Sequence, residues 1–282
     1  MTGTPPARRR LLGAVLRRYR ENLGYDLADA ARVLDCDRSK ISRIETGHRG
    51  ISRRDLRDLL AEYGVAEEAS RELEAIGDPR RARGWWQDYS DVLPEALEDY
   101  LILEAVAAEV LVYETQQVPG LLQTPGYAQA IAGTDPGVPA GLEARLASAW
   151  AARQEQVLAP DGPAVSAVVT EGALRQAVGG TALMRAQLAH LAAISENNAR
   201  VAVQVLPFAA GAHPGIGTGP AVVLGFAQAS GLGVVKLASL SGGILLDWQR
   251  DVERYVRAFT ELQAVALPPD KSASLLRQLA GG

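Results

Sequence analysis

The apolar positions of the first 76 residues recur at helical spacing in short blocks separated by polar punctuation. Over residues 9–22 they are Leu11, Leu12, Val15, Leu16 and Tyr19, a single stripe on a helix. Asn22-Leu23-Gly24 ends that block. Asp26, whose carboxylate can accept from the free N–H groups of a helix start, opens a second helix over residues 27–34. Small Ala28, Ala30 and Ala31 allow close helix crossing there. Asp35-Cys36 form a tight turn, with Cys36 read as core packing. Asp37 is placed to cap a third helix over residues 38–45, with Ile41 and Ile44 pointing inward. Thr46-Gly47 stops it. Ser52 starts a fourth helix with Leu56, Leu59 and Leu60 inside, and residues 67–76 form a fifth.

From residue 84 the pattern becomes mixed. Helical stretches are predicted over 94–107, from Pro125, and over 141–158, 171–178, 181–196 and 248–265, the last capped by Asp247 and broken at Pro268-Pro269. Strands are predicted over 110–113, 165–169, 201–206, 221–226, 234–240 and 243–246. Between the halves, residues 76–83 (IGDPRRAR) read as a junction, because Gly77 and Pro79 end a helix in a polar run. Adjacent Trp85 and Trp86 either dock this linker on the body or form part of a dimer interface, with packing the simpler role. The expected organisation is an all-α head of five helices (1–78), a linker or docking segment (79–90), and an α+β body with a small sheet (91–282).

The charge changes the picture. The 282 residues carry a formal net charge of −4, unevenly spread. Residues 1–54 hold 13 Lys or Arg against 6 Asp or Glu, whereas the remainder holds 16 against 27. A basic head on an acidic body suits a protein whose head meets phosphates while its body stays soluble. Residues 38–43 concentrate the effect: Arg38, Ser39, Lys40, Ser42 and Arg43 fall away from the isoleucine stripe. A helix presenting such residues near its start can enter the DNA major groove. Arg38 can give guanine O6 and N7 two hydrogen bonds, and Ser39 and Ser42 can bond a base edge or a phosphate. Lys40 and Arg43 suit either base or phosphate. Arg8, Arg9 and Arg10 read as a flexible phosphate-contacting arm or a disordered solubilising tail, and Arg49 as a further phosphate contact.

Residues 8–76, and above all RSKISRIETG (38–47), resemble the helix-turn-helix domain of Xre/lambda-repressor-like regulators. Two positions depart from that pattern: Leu27 stands where Gln is common, and Asp35 where the turn usually carries Gly. Aspartate tolerates the left-handed conformation better than most residues, so the turn is expected to survive. The segments VPGLLQT (118–124), TEGALRQAVGG (170–180) and VQVLPFAAGAHPG (203–215) resemble the C-terminal domain behind such heads in antitoxin-like (Scr-type) regulators of actinobacteria. That resemblance implies a transcriptional regulator, a homodimer on double-stranded DNA, whose body binds a small protein partner. The alternative is a body that senses a small molecule.

Other chemistry finds little support. Three histidines in no ligand spacing and one cysteine do not make a zinc site, and no GxSxG nucleophile elbow is present. The run GAHPGIGTG (211–219) lacks the Lys-Ser/Thr ending of a phosphate loop and reads as a mobile loop, in which His213 is a candidate lid residue. Glu171, directly after a strand, is a candidate pocket residue or a first-turn acid facing the helix dipole. A regulator without enzymatic activity, metal or cofactor is expected. The start PPARRRLLG is followed by no run of about 18 apolar residues, so no targeting or membrane segment is expected. The lone cysteine fits a reducing cytoplasm.

Overall fold

The structure is a computed structural model, and it describes residues 5–78, 84–227, 233–239 and 243–281. Most of the predicted junction, 79–83, lies outside them, as does Leu240 at the end of the fifth predicted strand.

Five helices form the head: α1 (Ala7–Asn22), α2 (Leu27–Val33), α3 (Arg38–Glu45), α4 (Arg53–Glu62) and α5 (Glu67–Gly77). Asp26 caps α2 as expected, accepting from the Ala28 and Asp29 amides while Asp29 bonds back to the Asp26 amide. Ser52 caps α4 through the Asp55 amide. Asp37 precedes α3 in extended conformation, but its side chain makes no cap bond. The turn between α2 and α3 passes through Asp35 at φ 45°, the one non-glycine positive φ among the described residues. Residues 7–10 are neither an arm nor a tail; they are the first turn of α1, where buried Ala7 and Leu11 anchor the helix in the core.

The body begins with a 3₁₀ turn, Trp85–Tyr89. Trp86 is buried, and its ring folds back on Gly84 so closely that a Cβ there would sit 2.2 Å from it. Arg145 stacks over Tyr89 and bonds Asp91, which ties this segment to the body. There follow α6 (Glu98–Glu104), β1 (Glu109–Glu114), α7 (Pro125–Ala132), α8 (Glu143–Val157), β2 (Ala164–Thr170), α9 (Glu171–Arg175), α10 (Thr181–Asn197) and β3 (Val201–Leu206). The chain continues through α11 (Gly215–Thr218), β4 (Ala221–Gly225), β5 (Gly233–Leu237), β6 (Ile244–Leu246), α12 (Gln249–Val265) and α13 (Pro269–Gly281). The helix expected over 171–178 ends at Arg175 and the strand expected over 234–240 ends at Leu237, and two further features differ from expectation. Asp247 does not cap α12, because its carboxylate is taken by Arg10. The Pro268-Pro269 break starts α13, whose first turn tolerates proline and whose Leu276 is fully buried.

The six strands form one mixed sheet in the order β3-β2-β1-β4-β5-β6, parallel from β1 to β3 and antiparallel beyond. The parallel pairs need helical crossovers, and their usual right hand places α8 and α10 on one face. That face carries Val112, Ala167 and Val203, whose core is continuous with that of the head. The other face carries Leu111, Val168 and Val223, covered by Val252, Phe259 and Leu262 of α12. Alternation along each strand thus feeds two cores.

Head and body meet along α1. Arg8 donates its backbone N–H to Asp99 of α6 at 3.2 Å and pairs with it through its side chain at 3.4 Å. Arg10 donates Nε to Asp247 at 2.6 Å.

Within the head, α1 crosses α3 at Gly13, where a Cβ would lie 2.5 Å from the carbonyl oxygens of both Ile44 and Glu45. Two turns beyond, Arg20 makes a bidentate buried pair with Glu45, at 2.6 and 2.9 Å. Gly13→Ala is therefore expected to destabilise the protein by about 1–3 kcal/mol despite alanine's better helix propensity, because two backbones must part. Urea titration checks this; an unchanged midpoint contradicts the close crossing.

Candidate nucleic-acid interface and a charged cavity

The outward face of α3 follows from its register. Ile41 and Ile44 are buried on a helix packed against α1 and α2, so Arg38, Ser39 and Arg43 are exposed and Ser42 is half-buried. Arg49, exposed beyond the helix end, donates its amide to the Arg43 carbonyl. Lys40 differs from the expectation: its Nζ bonds Asp55 of α4 at 2.7 Å, and the ammonium in turn holds the Asp55 carboxyl below its usual range. The expected arm residues separate. Arg8 and Arg10 face carboxylates of the body, while Arg9 stays exposed beside Gly50. The surface thus gathers Arg38, Ser39, Ser42, Arg43 and Arg49 with Arg9, and withdraws Lys40, Arg8 and Arg10.

Glu171 and His213 do not meet in a site. Glu171 accepts the Phe208 amide at 3.0 Å and the Arg175 guanidinium at 2.8 Å, which hold its carboxyl below the usual range. It staples TEGALR to VLPFAAG, two segments singled out in the sequence. His213 sits in the turn before α11, with Nδ1 buried and unpartnered among the described residues. Gly215 lies over Tyr113, on the sheet face covered by α12.

A cavity of about 260 Å³ lies on the opposite face. One wall is the VPGLLQT segment, held by buried hydrogen bonds: Gln123 Nε2 to Val118 O at 2.7 Å, and Gln187 Nε2 to Leu122 O at 2.7 Å. Apolar side chains, among them Leu121, Val112, Val222, Ile131 and Trp150, make most of the lining. Into it project the Tyr100 phenol of α6 and the ionisable groups of Glu114 of β1, Arg153 of α8 and Lys236 of β5, with exposed Asp135 at the rim. Val112, Val222 and Lys236 share one row across the sheet, and Glu114 lies two residues along β1 on the same face.

The electrostatics of this cluster are those of charges held away from water. Arg153 donates Nε and Nη2 to Glu104, both at 2.6 Å, and Tyr100 Oη donates to Glu104 at 2.6 Å. Burial alone would raise Glu104, but Arg153 overrides it and keeps the carboxylate ionised. Lys236 Nζ lies 4.4 Å from the centre of the Tyr100 ring and pairs with no carboxylate among the described residues. Burial, with Arg153 nearby, pulls its pKa down to about 8. Burial pushes Glu114 up to about 7, against the Thr115 amide and Lys236, which favour its charged form.

Residues 97–278 match the family profile described as a domain of unknown function (DUF5753), and residues 11–73 match that of a helix-turn-helix domain. The chain belongs to the DUF5753 family. Its head is a helix-turn-helix domain, a DNA-binding module. No curated protein and no solved structure matches the chain. Within this DUF5753 chain no described helix is long and apolar enough to cross a membrane.

Sequence reasoning missed the cavity. One signal was present: Lys236, one of only three lysines, alternates in phase with buried Val234 and therefore points inward. Its polar neighbours Tyr100, Glu114 and Arg153 come from segments more than 80 residues away, which no local pattern brings together.

Glu114 supplies a pH test. Its folded pKa is raised, so its contribution is fully present below about 4.5 and is lost as pH rises through about 7. The stability of the wild type relative to Glu114→Gln is expected to fall across that window, as read by denaturant titration at several pH values. A flat difference contradicts the buried carboxyl.

Proposed function

We propose that this protein is a sequence-specific, DNA-binding transcriptional regulator, acting as a homodimer, with α3 as its recognition helix and its body as the sensor of a small molecule. The observation that carries the DNA reading is the exposed polar face of α3, held by buried Ile41, Ile44 and the Arg20–Glu45 pair. Arg38 and Ser39, at the helix start, reach base edges; Ser42 and Arg43 follow, and Arg9 and Arg49 take phosphates. Two copies place their α3 helices about one DNA turn apart on a palindromic site.

The cavity favours a small-molecule input, since it is concave, mostly apolar and set with a few convergent polar groups. α6 links it to the head: Tyr100 and Glu104 belong to the cavity cluster, while adjacent Asp99 holds Arg8 of α1. A second reading is a small protein partner of the antitoxin-like kind. It draws on Phe208 and Ile216, whose side chains are 69% and 71% exposed on the loop between β3 and β4. Neither reading assigns a reaction to the chain.

Selection of binding sites from random duplexes, followed by titration of the Arg38→Ala variant, tests the recognition helix. Arg38→Ala is expected to cost about 1–3 kcal/mol on the selected site and little on random DNA. Equal losses on both remove α3 from base reading. The double variant Asp99→Asn, Asp247→Asn frees Arg8 and Arg10 for phosphate. Its affinity is expected to fall more steeply with salt, by up to about 0.9 in logarithmic slope per added contact. An unchanged slope means that the freed arginines do not reach DNA.

A further inference from the structure

The cavity beside β1 and β5 holds an uneven set of charges. Arg153 and Lys236 contribute two cations; Glu104, behind the wall, pairs with Arg153; Glu114 is a carboxyl that burial raises to about 7; and Asp135 lies at the exposed rim, where its carboxylate accepts the Gly137 amide and is screened by water. The Arg153–Glu104 pair is closed on itself through two short hydrogen bonds. Lys236 is not closed: it is deeply surrounded by protein, faces the cavity, lies over the Tyr100 ring, and feels Glu104 and Glu114 without a hydrogen bond to either among the described residues. Arg153 Nη1 also lacks a hydrogen-bond partner among the described residues and points toward Gly120, a wall of the same cavity.

A buried ammonium without a hydrogen-bonded counter-ion is costly, and the cost is removed by an anion placed in contact with it. The surroundings restrict which anion. A cationic ligand meets two like charges. A dianion such as a phosphate monoester meets Glu104 and Glu114 after one positive charge has been neutralised. A neutral ligand leaves the ammonium as it was. One negative charge balances the groups away from the exposed rim, where Asp135 is solvated, and the apolar walls from Val112, Leu121, Val222, Ile131 and Trp150 suit a non-polar remainder. A volume of about 260 Å³ accommodates a short branched chain or a single ring.

We infer that this cavity is a binding site for a small monocarboxylate with an apolar body, its carboxylate received by Lys236 Nζ and Arg153 Nη1 and its body by the Trp150 wall. This rests on the reading of the body as a sensor and adds the chemical class of what is sensed.

The test uses the full chain and calorimetric titration with isovalerate, benzoate and phenylacetate, each beside its uncharged amide. At least one carboxylate is expected to bind at least tenfold tighter than its amide. Lys236→Met, which replaces a buried charge with an apolar chain of similar length, is expected to fold and to weaken that carboxylate about tenfold to hundredfold. Glu114→Gln removes a neighbouring negative charge and is expected to strengthen it. Equal binding of acids and amides, no binding by any of the three acids, or full affinity in a folded Lys236→Met overturns the inference. Titrating the selected DNA site with and without the bound acid separates the two ideas. Carboxylate binding that leaves DNA affinity unchanged retains the site and overturns the sensor reading, whereas altered DNA affinity supports both.

Discussion

The close crossing of α1 and α3 is the constraint on which the other parts depend. At Gly13 the two backbones touch, with no room for a methyl group. Near the end of α1 the contact is locked by Arg20, which meets both carboxylate oxygens of Glu45 and the Tyr25 carbonyl, so three of its donors are used inside the fold. A bidentate pair of this kind fixes rotation as well as distance. The outward direction of Arg38, Ser39 and Arg43 is therefore set by contacts on the opposite side of α3. α1 also bears on α6 through Arg8 and on the segment before α12 through Asp247, so one helix touches both α3 and the body.

The body spends apolar area differently on its two faces. One is covered by α12 in simple fashion, with Phe259 and Leu262 against Leu111 and Val223. The other admits ionised groups, which a purely structural core does not need. Replacing such a cluster by apolar residues of similar volume is often neutral or stabilising, so stability alone does not require the charges. The VPGLLQT segment belongs to the same arrangement, since the hydrogen bonds of Gln123 and Gln187 hold an irregular backbone as a fixed wall.

Several parts of this architecture were legible from local chemistry. The five head helices, the Asp26 and Ser52 caps, the left-handed Asp35 and all six strands follow from periodicity and turn residues. The failures share one cause. Asp37 and Asp247 were read as helix caps because each precedes a helix; Asp37 makes no cap bond, and Asp247 found a distant arginine. Arg8 and Arg10 were read as solvent-facing because they lie near the chain start in a basic run, yet each pairs with a carboxylate more than 90 residues away. Lys40 was placed on the DNA face by helix geometry, but Asp55 of the next helix draws it aside.

The sequence by itself determined the five head helices, the positions of the six strands and which face of α3 is polar, because those outcomes depend on residues within a turn or two of one another. Only the tertiary structure decided which charges remain available. An ion pair or a buried ammonium is defined by what stands within a few ångströms. Lys236, Glu114, Arg153 and Tyr100 are brought together by the sheet order and by the crossover that lays α8 across it.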